Sequence, residues 1–150
     1  MSVLKDLYQQ VILDHNKSPR NYRKMDDATR HVDGYNPLCG DHYTVYVKLE
    51  GNTIVDVSFE GAGCAISKAS ASVMSSLVKG HSVDEAEELF RDFHRLVKGE
   101  IEGEAEIEQL GKLAAFAGVS EFPARVKCAS LPWHTLHAAV KSDTATISTE

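Results

Sequence analysis

The chain has 150 residues, of which 43% are hydrophobic and 25% charged, as is usual for one globular domain with a substantial core. The formal net charge of −6 argues against nucleic-acid binding, because phosphate contacts need a basic surface. No run approaches the roughly 20 apolar residues of a membrane span, and residues 1–10 carry Lys5 and Asp6 where a signal peptide would be apolar. We therefore expect a cytoplasmic protein that binds neither nucleic acid nor membrane.

The first half of the chain predicts one helix followed by a β-hairpin. Residues 3–15 place apolar side chains on one face of an amphipathic helix. Residues 29–33 form a weak strand candidate in a polar, turn-rich region. Two runs of alternating apolar residues, 43–49 and 53–59, predict the two strands of the hairpin.

The hairpin loop decides which side chains share a face of the sheet. A two-residue turn at Gly51-Asn52 would put the two apolar rows on opposite faces. A three-residue loop, Glu50-Gly51-Asn52 with Asn52 left-handed, brings both rows to one face, which must then be buried. The predicted pairs are Val47 with Val55 and Val45 with Val57.

The second half of the chain predicts helices. A capping box of Ser82 and Glu85 begins the second of them, and Pro132 is expected to bend or interrupt the last. An acidic connector covers residues 100–108. The predicted helices cover residues 65–79, 82–98, 107–117 and 123–141.

Strands come early in the chain and helices follow, which indicates an α+β fold. We predict a small antiparallel β-sheet of about three strands packed against helices. Residues 1–141 would form a single domain, and residues 142–150 a disordered tail.

The three cysteines cannot all pair as disulfides, so the alternatives are buried thiols, metal binding or catalysis. Cys39-Gly40-Asp41 places a thiol and a carboxylate two residues apart. Asp41 continues the inward parity of Tyr43 and Val45, and a buried carboxylate needs a partner, which a metal ion would supply. The alternative is that Cys39-Gly40-Asp41 is a solvated turn that binds no metal ion.

The other two cysteines also lie where a thiolate is favoured. Cys64 follows a glycine-rich turn and opens a helix, whose positive end lowers the pKa of a thiol. Cys128 has Arg125 one helical turn earlier and Lys127 beside it, and nearby cations favour a thiolate. The alternative is that both are plain surface charges, which for Lys127 is as compatible with the sequence as a role at the site.

Three thiolates and one carboxylate form a donor set that suits zinc. Their spacing lacks the compact pairs of a zinc finger, so these residues predict a metal site without predicting a reaction. The candidate ligands are Cys39, Asp41, Cys64 and Cys128.

Together these segments resemble the SufU/IscU/NifU-N family of iron–sulfur assembly proteins over residues 2–141, which implies a SufE/NifU-like fold. IscU-type members carry His immediately before the third cysteine, where this chain has Lys127. They also carry a Leu-Pro-Pro-Val-Lys motif, where this chain has residues 121–125, and they lack the extra segment that we place near residues 100–120. The chain therefore looks most like the SufU branch. The resemblance rests on Tyr8, Asp14-His15, Asn36-Pro37-Leu38-Cys39-Gly40-Asp41, Gly61-Ala62-Gly63-Cys64-Ala65-Ile66-Ser67 and Arg125-Val126-Lys127-Cys128-Ala129.

The resemblance implies a zinc-dependent sulfurtransferase that accepts persulfide sulfur from a pyridoxal-phosphate cysteine desulfurase of the SufS type. Cys39 would be the acceptor, freed from zinc by a ligand of the desulfurase, while Asp41, Cys64 and Cys128 stay bound. Arg125 would steady the charge of the thiolate or persulfide, and a downstream Suf scaffold or cluster acceptor would receive the sulfur.

Two alternatives use the same four side chains. An IscU-type scaffold would assemble a [2Fe–2S] cluster on them, because thiolates serve iron–sulfur clusters as well as zinc. A noncatalytic protein would use zinc only to stabilise its fold.

Overall fold

The computed structural model describes residues 3–37, 39–101, 103–141 and 146–148. The strands form one sheet in the order β3-β2-β1-β4, antiparallel except for the parallel β1–β4 pair. This confirms the predicted α+β class, with a three-stranded antiparallel sheet and helices packed on it. The elements are α1 (Val3–Lys17), β1 (Arg30–Asn36), β2 (Asp41–Glu50), β3 (Thr53–Ala62), α2 (Ala65–Val78), α3 (Val83–Val97), α4 (Glu104–Glu108), a 3₁₀ helix (Gly111–Glu121), α5 (Pro123–Lys141) and β4 (Thr146–Ser148).

Helices α2 and α5 cover the buried face of the sheet. Helix α5 packs on β1 and β2, α2 packs on α5, and α1 packs on α2. Small residues in α2 let α5 approach so closely that the hydroxyl of Ser70 donates to the carbonyl of Ala129 at 2.6 Å. This contact fixes the second turn of α5, which carries Cys128, over the edge where β1 ends and β2 begins. The fully buried residues of β2 and β3 include Tyr43, Val45, Val47, Val57 and Phe59.

The hairpin loop differs from the prediction. Glu50 pairs with Thr53, so the loop has two residues, and Gly51 rather than Asn52 has the positive φ, 61°. The register then shifts between Lys48 and Leu49, which leaves Val55 as an extra residue on β3. The bulge brings Val57 and Phe59 to the buried face with the apolar row of β2 in spite of the short loop, while Ile54 takes the inward position predicted for Val55. The predicted shared face is therefore correct for Val57 and Phe59, and the predicted loop is wrong. The observed pairs are Val47 with Val57 and Val45 with Phe59, in place of Val47 with Val55 and Val45 with Val57.

Helix α5 runs through Pro132 without interruption, contrary to the break considered from the sequence. Proline removes one backbone donor. Its neighbours Leu131, Trp133 and Leu136 are at most 2% exposed, and their burial against the sheet and α3 outweighs one missing hydrogen bond. Tertiary packing therefore overrides the local preference for a helix end.

Three further segments differ from the prediction. The acidic connector contains the short helix α4, and the helix predicted at 107–117 is a 3₁₀ helix, Gly111–Glu121. Strand β4 lies within the tail predicted to be disordered, because the edge of β1 offers unpaired backbone groups to the residues after α5. Leu38, Glu102, residues 142–145 and residues 149–150 lie outside the described part of the chain.

Among the described residues, no helix combines the length and the apolar character needed to cross a membrane.

The close approach of α5 to β1 generates a prediction about Gly34. A β-carbon there would overlap the hydroxyl of Thr135 and lie 3.1 Å from a methyl group of Leu131. We expect Gly34→Ala to lower the free energy of unfolding by about 1–3 kcal/mol in urea denaturation, because α5 must move away from the sheet.

Gly118→Ala is the matched control, because a β-carbon at Gly118 meets nothing within 4 Å. Equal stability of the two variants would contradict the tight packing of α5 on β1.

Candidate metal centre

Three remote segments meet at the edge of the sheet where β1 ends and β2 begins. Cys39 lies in the turn between these strands, Asp41 is the first residue of β2, and Cys128 reaches them from α5. One ligand atom from each of the three lies within 4.8 Å of the others. The sulfurs of Cys39 and Cys128 are 3.1 Å apart, and both are free thiols. The group could hold a metal ion.

Cys64, the fourth predicted ligand, lies beside this group. It is the N-cap of α2, and its sulfur accepts the backbone N–H of Ser67 at 3.4 Å. Its own backbone N–H donates to Oδ1 of Asp41 at 2.9 Å. The structure therefore brings three of the four predicted residues into one ligand group and ties the fourth to that group through its backbone.

The members of the site differ in exposure. Cys39 is exposed and Cys64 is half-buried, whereas Cys128 is 2% exposed and Asp41 1%. Burial raises the pKa of the Cys128 thiol, and the neighbouring side chains of Cys39, Asp41 and Cys64 raise it further. The sequence predicted the opposite for Cys128, because Lys127 and Arg125 suggested a thiolate. In the structure the thiol of Cys128 donates to the sulfur of Cys39.

The donor set fits zinc. Three thiols and one carboxylate can each supply an electron pair once the thiols lose their protons, and a divalent cation offsets the charge that burial opposes. A ligand atom of Asp41 lies within 4.8 Å of the sulfurs of Cys39 and Cys128, and Asp41 also accepts the backbone N–H of Cys64, whose sulfur lies outside that group of three.

Asn36 belongs to the site, and sequence reasoning recognised it only as part of a turn. As the last residue of β1, it pairs with Asp41, the first residue of β2, and it is 0% exposed. Its amide nitrogen donates to Oδ2 of Asp41 at 3.3 Å and to the sulfur of Cys128 at 3.5 Å. The backbone carbonyl of Asn36 accepts the backbone N–H groups of Cys39 and Gly40.

Tyr43 and Ser67 were also missed as site residues. Both are 0% exposed, and their hydroxyls lie 2.9 Å apart. Ser67 donates to Oδ1 of Asp41 at 3.2 Å. Only their positions in the sequence could have indicated this role. Tyr43 shares the inward parity of Asp41, and Ser67 lies in the first turn of the helix that Cys64 caps.

Arg125, predicted to act beside Cys39, is exposed at the start of α5. Among the described residues, its guanidinium makes no hydrogen bond or ion pair. It lines an apolar cavity of about 460 Å³ between α1, the start of α2 and the 3₁₀ helix, together with Ile66 and Phe122. Its contact with the reacting thiol therefore stays a prediction.

Comparison with known proteins agrees with this architecture. Residues 7–129 match the NifU-like N terminal domain family. The chain is 43% identical over 140 residues to the zinc-dependent sulfurtransferase SufU of Bacillus subtilis (strain 168), covering 93% of each chain. It is 40% identical over 141 residues to the iron-sulfur cluster assembly scaffold protein IscU of Streptococcus pyogenes serotype M1, covering 94% of this chain and 87% of that relative.

A solved structure is similar over the same length. The crystal structure of FiSufU from Fervidobacterium islandicum AW-1 superposes with a TM-score of 0.80 at 39% identity, covering 88% of this chain and 95% of that one. The family match over residues 7–129 includes β1, β2, β3 and all three cysteines. The chain therefore belongs to the NifU-like N-terminal domain family, to which SufU and IscU proteins are also related, as the sequence motifs predicted.

Proposed function

We propose that this chain is a zinc-dependent sulfurtransferase of iron–sulfur cluster assembly, which accepts persulfide sulfur on Cys39 from a pyridoxal-phosphate cysteine desulfurase of the SufS type. The observation that carries the proposal is the contact, at 3.1 Å, between the exposed thiol of Cys39 and the buried thiol of Cys128, beside the buried Asp41. One sulfur of the group faces solvent, where a partner's persulfide can reach it.

Cys39, Asp41, Cys64 and Cys128 would hold the zinc ion. When bound, zinc keeps these thiols deprotonated at neutral pH. The chain itself fixes the two buried ligands: Asn36 holds both Asp41 and Cys128 from one side, and the N-terminus of α2 holds Asp41 from the other.

In the transfer, the Cys39 thiolate attacks the outer sulfur of the partner's persulfide. A new sulfur–sulfur bond forms at Cys39, the partner's sulfur–sulfur bond breaks, and the partner's cysteine leaves as a thiolate. The exchange consumes no external oxidant or reductant. The exposed Arg125 would offset the negative charge of the persulfide, and a downstream Suf scaffold or cluster acceptor would then take the sulfur.

The names of two relatives support different readings of this site. The SufU relative is named a zinc-dependent sulfurtransferase, and Lys127 before the third cysteine favours that branch. The IscU relative, almost as similar, is named a scaffold protein. Assembly of a [2Fe–2S] cluster on the same side chains is therefore the second candidate, because thiolates serve iron–sulfur clusters as well as zinc.

Removal of the acceptor thiol tests the proposal directly. We expect Cys39→Ala to abolish the added sulfur atom in the intact mass of the chain, and to abolish its stimulation of alanine release by a SufS-type desulfurase. Ser76→Ala, an exposed change on α2, should leave both measurements unchanged. Full stimulation by Cys39→Ala would instead favour a structural role for the metal.

Metal analysis separates the two candidate functions. Protein purified without oxygen should contain about one zinc ion per chain and no iron, since the donor set closes around a single ion. Iron and acid-labile sulfide in equal amounts would support the scaffold and contradict the sulfurtransferase.

The role of Arg125 can be tested separately from metal binding. We expect Arg125→Ala to slow persulfide formation on Cys39 severalfold with unchanged zinc content, because the cation acts on charge outside the ligand group. Arg91→Ala removes an exposed arginine from α3 and is the charge-matched control. Equal rates for both variants would remove Arg125 from the mechanism.

A further inference from the structure

The carboxylate of Asp41 is held unequally by the protein. Its Oδ1 accepts two donors, the backbone N–H of Cys64 at 2.9 Å and the hydroxyl of Ser67 at 3.2 Å. Its Oδ2 accepts one longer hydrogen bond, from the Asn36 amide at 3.3 Å. Since the side chain is 1% exposed, water does not compensate for this difference. Oδ1 is engaged by the protein, and Oδ2 retains free acceptor capacity.

The proton of Ser67 has two acceptors within reach, Oδ1 of Asp41 and, at 3.0 Å, the carbonyl oxygen of Cys64. That carbonyl already receives the backbone N–H of Lys68 at 3.1 Å, the ordinary bond of the helix. A carboxylate is the stronger acceptor, because it is charged. The hydroxyl of Ser67 therefore donates to Asp41.

Tyr43 completes the arrangement from β2. Because the only proton of Ser67 goes to Asp41, the 2.9 Å contact between the two hydroxyls requires Tyr43 to donate to Ser67. A phenol keeps its proton at neutral pH, so Tyr43 has a proton to donate. A directed chain runs from Tyr43 through Ser67 to Oδ1 of Asp41.

Gly63 shows how closely this chain is packed. A β-carbon there would overlap Oδ1 of Asp41 and lie 2.6 Å from the hydroxyl of Ser67 and 2.8 Å from that of Tyr43. All three polar atoms thus surround one position where only glycine leaves room.

We propose that Asn36, Tyr43 and Ser67 are positioning residues that hold Asp41 as a one-oxygen metal ligand, with Oδ1 bound to the protein and Oδ2 presented to the metal. We call these three side chains the Asp41 clamp. The inference rests on the proposed metal site and adds to it which oxygen binds and what orients it. Hydrogen-bonded partners of this kind typically set the affinity of a metal site.

The clamp holds two of the proposed ligands, Asp41 and Cys128, but not the sulfur of Cys39. Asn36 contacts both Asp41 and Cys128, so it fixes two buried ligands with one amide. Among the described residues, no clamp side chain bonds the sulfur of Cys39, whose hydrogen-bond partner is the Cys128 thiol. Asp41 therefore stays in place when the sulfur of Cys39 moves.

The experiment compares Ser67→Ala and Tyr43→Phe, alone and combined, in the full chain. Ser75→Ala and Tyr46→Phe are matched controls, because each removes a hydrogen-bonded hydroxyl from the same helix or strand away from the site. Zinc affinity is measured by competition with a chromophoric chelator. We expect Ser67→Ala to weaken zinc binding roughly tenfold and both controls to match the wild type.

The double variant tests the direction of the chain. Because Tyr43 acts only through Ser67, Tyr43→Phe should weaken binding less than Ser67→Ala, and the double variant should be no weaker than Ser67→Ala alone. Additive losses would overturn the chain, and so would wild-type affinity in Ser67→Ala.

A second measurement needs no metal. In the metal-free protein, the amide proton of Cys64 should resonate downfield because it donates to Oδ1 of Asp41, and Ser67→Ala should shift it while Ser75→Ala does not. An unchanged resonance in Ser67→Ala would overturn the clamp. If the wild type bound no zinc, the proposed function would fail at its metal site, and this resonance would still decide whether Ser67 orients Asp41.

Discussion

Asp41 places a carboxylate that is 1% exposed at the start of a central strand, next to two thiols. A buried charge of this kind is costly unless donors or cations surround it. Its donors come from the end of β1, through Asn36, and from the first turn of α2, through Cys64 and Ser67. The β1–β2 pair and the first turn of α2 therefore together supply the donors that this one side chain requires.

Close approach of the backbone makes that arrangement possible. Gly61, with φ 137°, lies against the carbonyl of His42, and Gly63 lies against Asp41 itself. These two glycines let β3 turn into α2 directly over the start of β2. Small side chains further along α2 then admit α5, and the bond from Ser70 to Ala129 fixes the turn that carries Cys128. The glycine-rich turn therefore leaves the space in which three elements meet at Asp41, because a β-carbon at Gly61 or Gly63 would overlap its neighbours.

The contrast in exposure within the site has a chemical consequence. Cys128 and Asp41 are enclosed by α5 and the sheet, whereas Cys39 lies on a turn held to Asn36 through its backbone. A thiol on an exposed turn can change its rotamer without disturbing packing, while a thiol inside the helix–sheet contact cannot. Sulfur transfer and cluster assembly make different use of this difference, since one needs a ligand that leaves and the other needs four that stay.

Features that depend on a few consecutive residues were predictable. The capping box at Ser82 and the bounds of α5, Pro123–Lys141, follow from local periodicity and capping chemistry. The four candidate ligands could be named from the sequence because each lies in a distinctive local motif. Asn36, Tyr43 and Ser67 were not, because a single Asn, Tyr or Ser carries no local sign that it will contact a carboxylate.

The sequence by itself determined the α+β class, most of the helices, the family and the donor types of the site. Tertiary structure decided the bulge at Val55, the unbroken course of α5 through Pro132, and the burial that raises the pKa of the Cys128 thiol. The physical reason is the distance along the chain over which each effect acts. Helix caps and periodicity act over a few neighbouring residues, whereas strand register, burial and the pKa of a thiol depend on which distant residues the folded chain brings against them.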